Sequence, residues 1–391
     1  MINAARYIFK REIAFLSKRK KSRAFFVCLY PFVIMGLLLA VFSGKVLTQI
    51  PIAVVDNSQG YYARETVRAF QANQFLHVSL FPTLGQAFAA LENGSIYGVV
   101  SLDKDYDKNK LKHTGSEIVA WINNEYLLVG GNTKKGINSV VGGLNQKYQW
   151  QNLAELGIPA GFWKTMASPL QVSETVLYNP TLNYIYFLGL GLLPAVLQLF
   201  ICLSVCYSLL WEIKTRHAKR LRRVFQINPY IAAGSKIGFY IVAYLAVMLI
   251  LLGLLVIGFG VPVQGSLWRT ILAIAAFIFL TSSTALLFAA ITNNLRLSMS
   301  VCAAYAAPAV AYFGVSFPVQ SMPLLARGWA EFMPGTHLNR VFVNELLRGA
   351  NASGTWGEIA FMTGLGILFF CLGTKGYAHW TKKDSYLGPK L

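Results

Sequence analysis

Few side chains in this chain of 391 residues are spaced for chemistry. Asp56 closes an apolar run and opens Asp56-Asn57-Ser58-Gln59-Gly60, but no His, Cys or second carboxylate motif converges on it. Its expected role is an Asx-turn. His337 stands among charges and could suggest an intramembrane enzyme, but a solitary His at a helix start reads better as a cap or a packed interfacial residue. Cys202 and Cys206 lie one helical turn apart with no His or carboxylate near them, which is the pattern of small apolar packing. All five cysteines fall in apolar stretches, so no disulfide framework is expected. No Gly-x-Ser-x-Gly turn, metal-ligand spacing or phosphate loop is present. Gly44-Lys45 is the sole Gly-Lys pair, and Leu39 stands where a phosphate loop needs glycine. The expectation is a chain without catalytic, metal-binding or cofactor-binding residues. One polar constellation remains: Glu212 followed by Lys214, Arg216, His217, Lys219, Arg220, Arg222 and Arg223. Such a run suits docking of a cytoplasmic partner, and it also suits a plain topology signal.

The elements that must position this run are apolar. Six stretches contain no Asp, Glu, Lys or Arg: Ala24–Ser43, Leu182–Trp211, Ile237–Phe259, Thr270–Ile291, Leu297–Val315 and Ile359–Thr374. At about 1.5 Å per residue each crosses, or nearly crosses, a hydrocarbon core of about 30 Å. The chain is 55% hydrophobic, as a polytopic membrane protein would be. Its net charge of +19 lies almost wholly on one side. Twenty of the 35 basic residues, but only three of the 16 acidic ones, fall in the termini and in the loops 212–236 and 292–296. The positive-inside rule then puts both termini in the cytoplasm, with six spans between them, and argues against a nucleic-acid partner. The first apolar stretch follows a basic leader of 23 residues and is too long for a signal peptide, so an uncleaved anchor is expected. Ionisable groups usually serve ion-driven transport inside spans. Their absence from these stretches implies an energy source outside the bilayer.

The domain plan follows. Residues 1–23 form a cytoplasmic interface segment, with Ala5, Phe9, Ile13 and Leu16 on one helical stripe that would lie on membrane lipid, then five basic residues in Lys18–Arg23. Residues 24–43 form span one. Residues 44–181 read as an extracytoplasmic α/β domain. Its expected strands are Ile50–Val55, Phe75–Leu80, Ile96–Leu102, Ile118–Ile122 and Glu174–Leu177. Its expected helices are Tyr61–Ala72, Leu84–Leu91 and a long one within Tyr126–Leu156. Residues 182–391 hold spans two to six, with Pro194 expected to kink the second. In the fifth, Ser300, Ala303, Ala307 and Ala311 offer a small-residue packing face. The external segment 316–358 is broken at Pro318, Pro323 and Pro334. It carries Arg327, Glu331, Arg340, Glu345 and Arg348 beside an apolar stripe, which predicts short helices dipping into the outer leaflet against protein.

The order of these parts resembles the permease subunits of ABC-2-type exporters, in the branch with a large external domain between spans one and two. Ile50–Asn57 is similar to the strand and Val-Asp turn that begin that domain, and Tyr178-Asn179-Pro180 to the Asn-Pro before span two. Glu212 sits where the family has a Glu ahead of its coupling segment. Pro229 to Lys236 resembles the Pro…Gly-Lys lead into span three, with Ser235 between Gly234 and Lys236. Phe317-Pro318, Met322-Pro323, Pro334 with Thr336-His337, and Arg348-Gly349 resemble the external segment. The ordered set is specific and covers nearly the whole chain. Arg216-His217 departs from the Gly-Thr often found there. The resemblance implies a dimer with a second copy or paralogue, and a separate cytoplasmic ABC ATPase that holds ATP and Mg. Glu212, Lys214, Arg216, His217, Arg220 and Arg223 would be the ATPase-coupling residues, and Pro318, Pro323, Pro334 and His337 the re-entrant segment. In double-membrane bacteria a periplasmic adaptor would meet the external domain. The implied function is export of a hydrophobic or amphipathic substrate across a bacterial inner membrane. The alternative is a non-transporting scaffold or receptor whose external domain binds a partner.

Overall fold

The computed structural model describes residues 2–17, 27, 29–41, 48–112, 116–125, 127–167, 177–179, 183–215, 228–315, 317–349 and 352–382. The chain divides into two compact units, one made of Met1–Lys45 with Val176–Leu391 and the other of Val46–Thr175. The first begins with α1 (Ile2–Ser17) and α2 (Tyr30–Val41). On α1 the buried positions are Ile8 and Glu12, with Phe9 edge-on to Phe239 at 5.5 Å, while Ile13 is 56% exposed. Glu12 turns inward because it has cationic partners inside the unit, while Ile13 of the expected lipid stripe faces away from them. The side chains of Ala5 and Leu16, and all of Lys18–Arg23, lie outside the described residues.

The second unit is a four-stranded sheet with helices. It runs β1 (Ile50–Asp56), α3 (Tyr61–Gln71), β2 (Leu76–Leu80), α4 (Leu84–Glu92), β3 (Gly98–Leu102), α5 (Tyr106–Leu111), β4 (Ile118–Ile122), α6 (Leu127–Glu155) and α7 (Ala160–Ala167). The strand order is β2-β1-β3-β4, with β1 parallel to β2 and β3 and β4 antiparallel on β3. Period-two alternation sends Ile52 and Val54 into a core with Phe70 and Tyr148 of α3 and α6, and Ala53 and Val55 into another with Ala87 of α4. Both faces of β1 are thus covered, which is why Ile50–Val55 reads as a continuous apolar run. The Asp56 carboxylate accepts from the backbone N–H groups of Ser58 and Gln59 at 3.0 and 2.9 Å, forming the Asx-turn. Residues 174–176 of the last expected strand lie outside the described residues.

The first unit resumes with α8 (Leu190–Lys214), preceded by a π-helical turn at Ile185–Gly189. It continues through α9 (Pro229–Gly253), α10 (Leu267–Thr292), α11 (Leu295–Ala306), α12 (Ala309–Tyr312), α13 (Leu324–Glu331), α14 (Pro334–Phe342) and α15 (Ala352–Lys382). Among the described residues four helices are long and apolar enough to cross a membrane: Ile185–Lys214, Pro229–Gly258, Leu267–Thr292 and Ala352–Lys382. The other two expected spans differ. α2 has 12 residues, and Ala24, Phe25, Phe26, Cys28, Phe42 and Ser43 of the expected span lie outside the described residues. The stretch Leu297–Val315 breaks between α11 and the single turn α12, because Pro308 brings no N–H to the helix ladder.

The core of this unit is α10 laid along α15. Glycines of α15 set the distance: a Cβ on Gly366 would come 2.7 Å from the Phe279 ring, one on Gly373 2.8 Å from Leu286, and one on Gly376 2.7 Å from Ala290. Close backbone approach of this kind drives helix association where lipid removes the hydrophobic incentive. The small-residue face expected in span five is not this seam. Ser300, Ala307 and Ala311 are exposed and Ala303 half-buried in the single chain, whereas Cys302, Tyr305 and Ala306 of α11 are buried.

Candidate functional site

Charges excluded from the six apolar stretches reappear, buried, at their ends. Glu212 directly follows Leu182–Trp211, and Lys236 directly precedes Ile237–Phe259. Their side chains meet at one end of the helical unit, where Lys236 Nζ lies 2.8 Å from Glu212 Oε2 and 3.4 Å from Glu12 Oε1. Lys236 also donates to the Ser208 carbonyl at 3.1 Å, the Ser208 hydroxyl donates to Glu12 Oε2 at 3.0 Å, and the Tyr377 hydroxyl donates to Glu212 Oε2 at 3.1 Å. Arg11 pairs with both Glu12 and Glu212. Two cations and two carboxylates from α1, α8 and α9, with a phenol from α15, make a charge-balanced network. Lys236 and Glu12 are each 1% exposed. Each link has a local cause. Glu12 follows Ile8 by one turn on the buried face of α1. Lys236 is delivered by the first two turns of α9, which Asn228 caps by accepting from the Tyr230 N–H at 2.9 Å, with Pro229 at the first helical position.

A second set of charges joins the short helices to α10 and α15. The Arg269 guanidinium holds both oxygens of Glu345 at 2.8 and 2.9 Å, and the Ser266 N–H and Thr355 hydroxyl each donate to that carboxylate at 2.7 Å. Burial pushes the Glu345 carboxyl up, but these donors outweigh it and leave it below its ordinary value. Nearby, Arg340 grips Glu331 at 2.5 and 3.1 Å and reaches Glu358 at 3.3 Å. Hydrogen bonding from Arg340 holds the Glu331 carboxyl below its usual range. His337 Nδ1 lies 2.5 Å from Glu358 and Nε2 2.9 Å from the Glu331 carbonyl, so both ring nitrogens are engaged. The start of α14 reaches deep: the Gly335 N–H donates to Gln198 Oε1 at 3.0 Å, and Gln198 lies halfway along Ile185–Lys214. A Cβ on Gly335 would fall 1.9 Å from the Phe313 ring, so only glycine permits this depth.

Residues 21–375 match the model of a family described as ABC-2 family transporter protein. The chain belongs to the ABC-2 transporter family. It is also similar to the inner membrane transport permease YhhJ of Escherichia coli strain K12, at 23% identity over 325 residues, covering 82% of this chain and 83% of that protein. The YhhJ permease of Shigella flexneri gives the same identity and coverage. With four apolar helices of spanning length, the chain is a multi-pass membrane protein of the ABC-2 transporter family.

In this ABC-2 protein the residues expected to matter fall in different places. Glu212 sits in the buried charge network, and Lys214 is half-buried in the last turn of α8. Arg216, His217, Arg220 and Arg223 lie outside the described residues. Pro318 precedes the 3-10 turn Val319–Ser321, Pro323 caps α13, and Pro334 takes the first position of α14. His337 is 2% exposed and tied on both nitrogens, as a packed residue is. Cys202 and Cys206 gain a third thiol, Cys302, in contact from α11. Among the described residues no group of three His, Cys, Asp or Glu side chains, these thiols included, is arranged to hold a metal ion. Sequence reasoning missed Glu12, Lys236 and Tyr377 as members of one network. The available signal was that Glu12 is the sole acidic residue in a leader with eight basic ones.

Proposed function

We propose that this chain is the membrane-spanning permease subunit of an ATP-driven ABC-2 exporter, working as a dimer in a bacterial inner membrane. ATP and Mg are held by a separate cytoplasmic ABC ATPase. In this reading six spans cross the bilayer and both termini lie inside. Residues 44–181 stand outside the membrane, where a periplasmic adaptor can meet them. The substrate is a hydrophobic or amphipathic molecule taken from the cytoplasm or inner leaflet. The YhhJ relatives bear the name of inner membrane transport permeases, which favours this reading. The observation that carries it is the buried network binding α1 to α8, α9 and α15. α1 and residues 212–236 are the parts that a cytoplasmic motor would touch. A force on either enters a network whose members hold the ends of three spans. Removing one member strands a buried opposite charge, at a cost of about 3–5 kcal/mol, so the elements are constrained to move together. The re-entrant segment 316–358, with Pro318, Pro323, Pro334 and His337, closes the far side.

The test is purification of the tagged chain in mild detergent with identification of co-eluting proteins, then comparison with Glu212→Ala and with the charge reversal of Arg216, Arg220 and Arg223. A Walker-type ATPase is expected with the parent chain. Its association or stimulation should weaken several-fold in the variants, with the protein still in the membrane. Failure to recover an ATPase in any detergent would instead support the scaffold or receptor. Unchanged coupling in the variants would leave the basic loop as a topology signal alone.

A further inference from the structure

One face of α15 changes character along its length. Phe361, Leu368 and Leu372 are 45%, 52% and 47% exposed, and the same outward line continues at three- and four-residue steps to Lys375, His379 and Lys382, all exposed. The opposite side holds the buried residues Met362, Gly366, Gly373 and Tyr377, packed on the unit. No acidic side chain among the described residues pairs with Lys375 or Lys382. The height of the change is fixed independently. Tyr377 bonds Glu212 at the buried charge network, and Trp380 donates its indole N–H to the Ala290 carbonyl at 2.7 Å, close to the last turn of α10. An apolar strip as long as an acyl chain therefore ends at three basic side chains beside the buried charge network. Lys375 and Lys382 are about 10 Å apart along the axis at 1.5 Å per residue. Basic groups here draw anionic lipid, each adding about 1 kcal/mol near the surface.

We propose that α15 carries a binding site for an anionic glycerophospholipid, with Phe361, Leu368 and Leu372 along an acyl chain and Lys375, His379 and Lys382 around the phosphate. The site rests on the reading that this end of the helical unit faces the cytoplasmic leaflet. It locks the outer surface of α15 to the membrane while the inner surface holds α10, so the lipid steadies the helix pair that contains the glycine seam.

The full chain is reconstituted into nanodiscs of phosphatidylcholine, and phosphatidylglycerol or cardiolipin is titrated in, with lipid retained on the protein counted by native mass spectrometry. The parent chain should retain anionic lipid in preference to phosphatidylcholine, and Lys375→Gln with Lys382→Gln should weaken retention by about tenfold or more, since two basic groups are lost. Lys375→Arg with Lys382→Arg should keep it, which separates lost charge from misfolding. Leu368→Ser with Leu372→Ser should weaken retention while leaving the preference for anionic headgroups. Millimolar inorganic phosphate should not compete. Equal retention by the Gln pair, indifference to headgroup charge, competition by phosphate, or a change in oligomeric state of the Gln pair in phosphatidylcholine would each overturn the proposal. The last would make this face a contact with a second copy. Recovery of an ATPase plays no part in this readout, so the two readings fail separately. If accessibility labelling put Lys375 and Lys382 on the external side, the site would lose its cytoplasmic leaflet whatever lipid bound.

Discussion

Replacing Lys236 with Met leaves Glu12 and Glu212 buried with Arg11 as their remaining described cation. The expected loss of stability is about 3–5 kcal/mol, seen as a lower unfolding temperature in detergent. Adding Glu12→Gln restores balance, because Arg11 and Glu212 remain paired. A double-mutant cycle should therefore show a coupling of about 1 kcal/mol or more. Independent, additive losses would mean that the network does not act as a unit. Glu331 gives a second expectation with its sign fixed by linkage. Its carboxyl is held below the ordinary value by Arg340, so the native state favours the ionised form. The stabilisation is complete above the unfolded carboxyl range and fades as pH falls through the folded value. Unfolding temperature should drop between about pH 5 and pH 3, less steeply in Glu331→Gln. Equal slopes would show that the pair adds nothing there. His337 is held from both sides, its two nitrogens facing a carboxylate and a carbonyl.

At the scale of elements, the α10–α15 seam makes a contrast between two glycines of one helix. Gly373→Ala puts a methyl within 2.8 Å of Leu286 and 2.9 Å of the Leu287 backbone, whereas a Cβ at Gly364 meets nothing within 4 Å. The first should cost about 1–3 kcal/mol by overpacking, and the second should gain about 0.5–1 kcal/mol by helix propensity. Thermal unfolding of the two variants should move in opposite directions, and a shared direction would contradict the close packing. The sequence shows where α15 runs, because a long apolar stretch leaves its helix little choice. It does not show which of its glycines face α10, since Gly364, Gly366, Gly373 and Gly376 all read alike until a partner helix is placed. The small residues of span five illustrate the converse. Ser300, Ala303, Ala307 and Ala311 have the spacing of a packing face, yet most of them are exposed in the single chain. In α1, likewise, apolar spacing marks a stripe for lipid but does not show that Glu12 turns inward to buried partners.

For the molecule as a whole, the sheet unit has cores of its own on both faces of β1. Residues 46–175 produced alone should unfold in one cooperative transition with mixed helix and strand dichroism, and a non-cooperative melt would show that the unit needs the rest of the chain. What the sequence determined by itself was the membrane character, the basic end, the strands around Asp56 and the resemblance to the ABC-2 family, because each rests on patterns local in the chain. Tertiary structure alone decided that Glu12, Glu212 and Lys236, far apart in sequence, share one buried network, and that His337 meets Glu358 and the Glu331 carbonyl. The reason is physical. Apolarity and periodicity act through neighbours a few residues away, while the sign and partner of a buried charge depend on which helix ends arrive beside it.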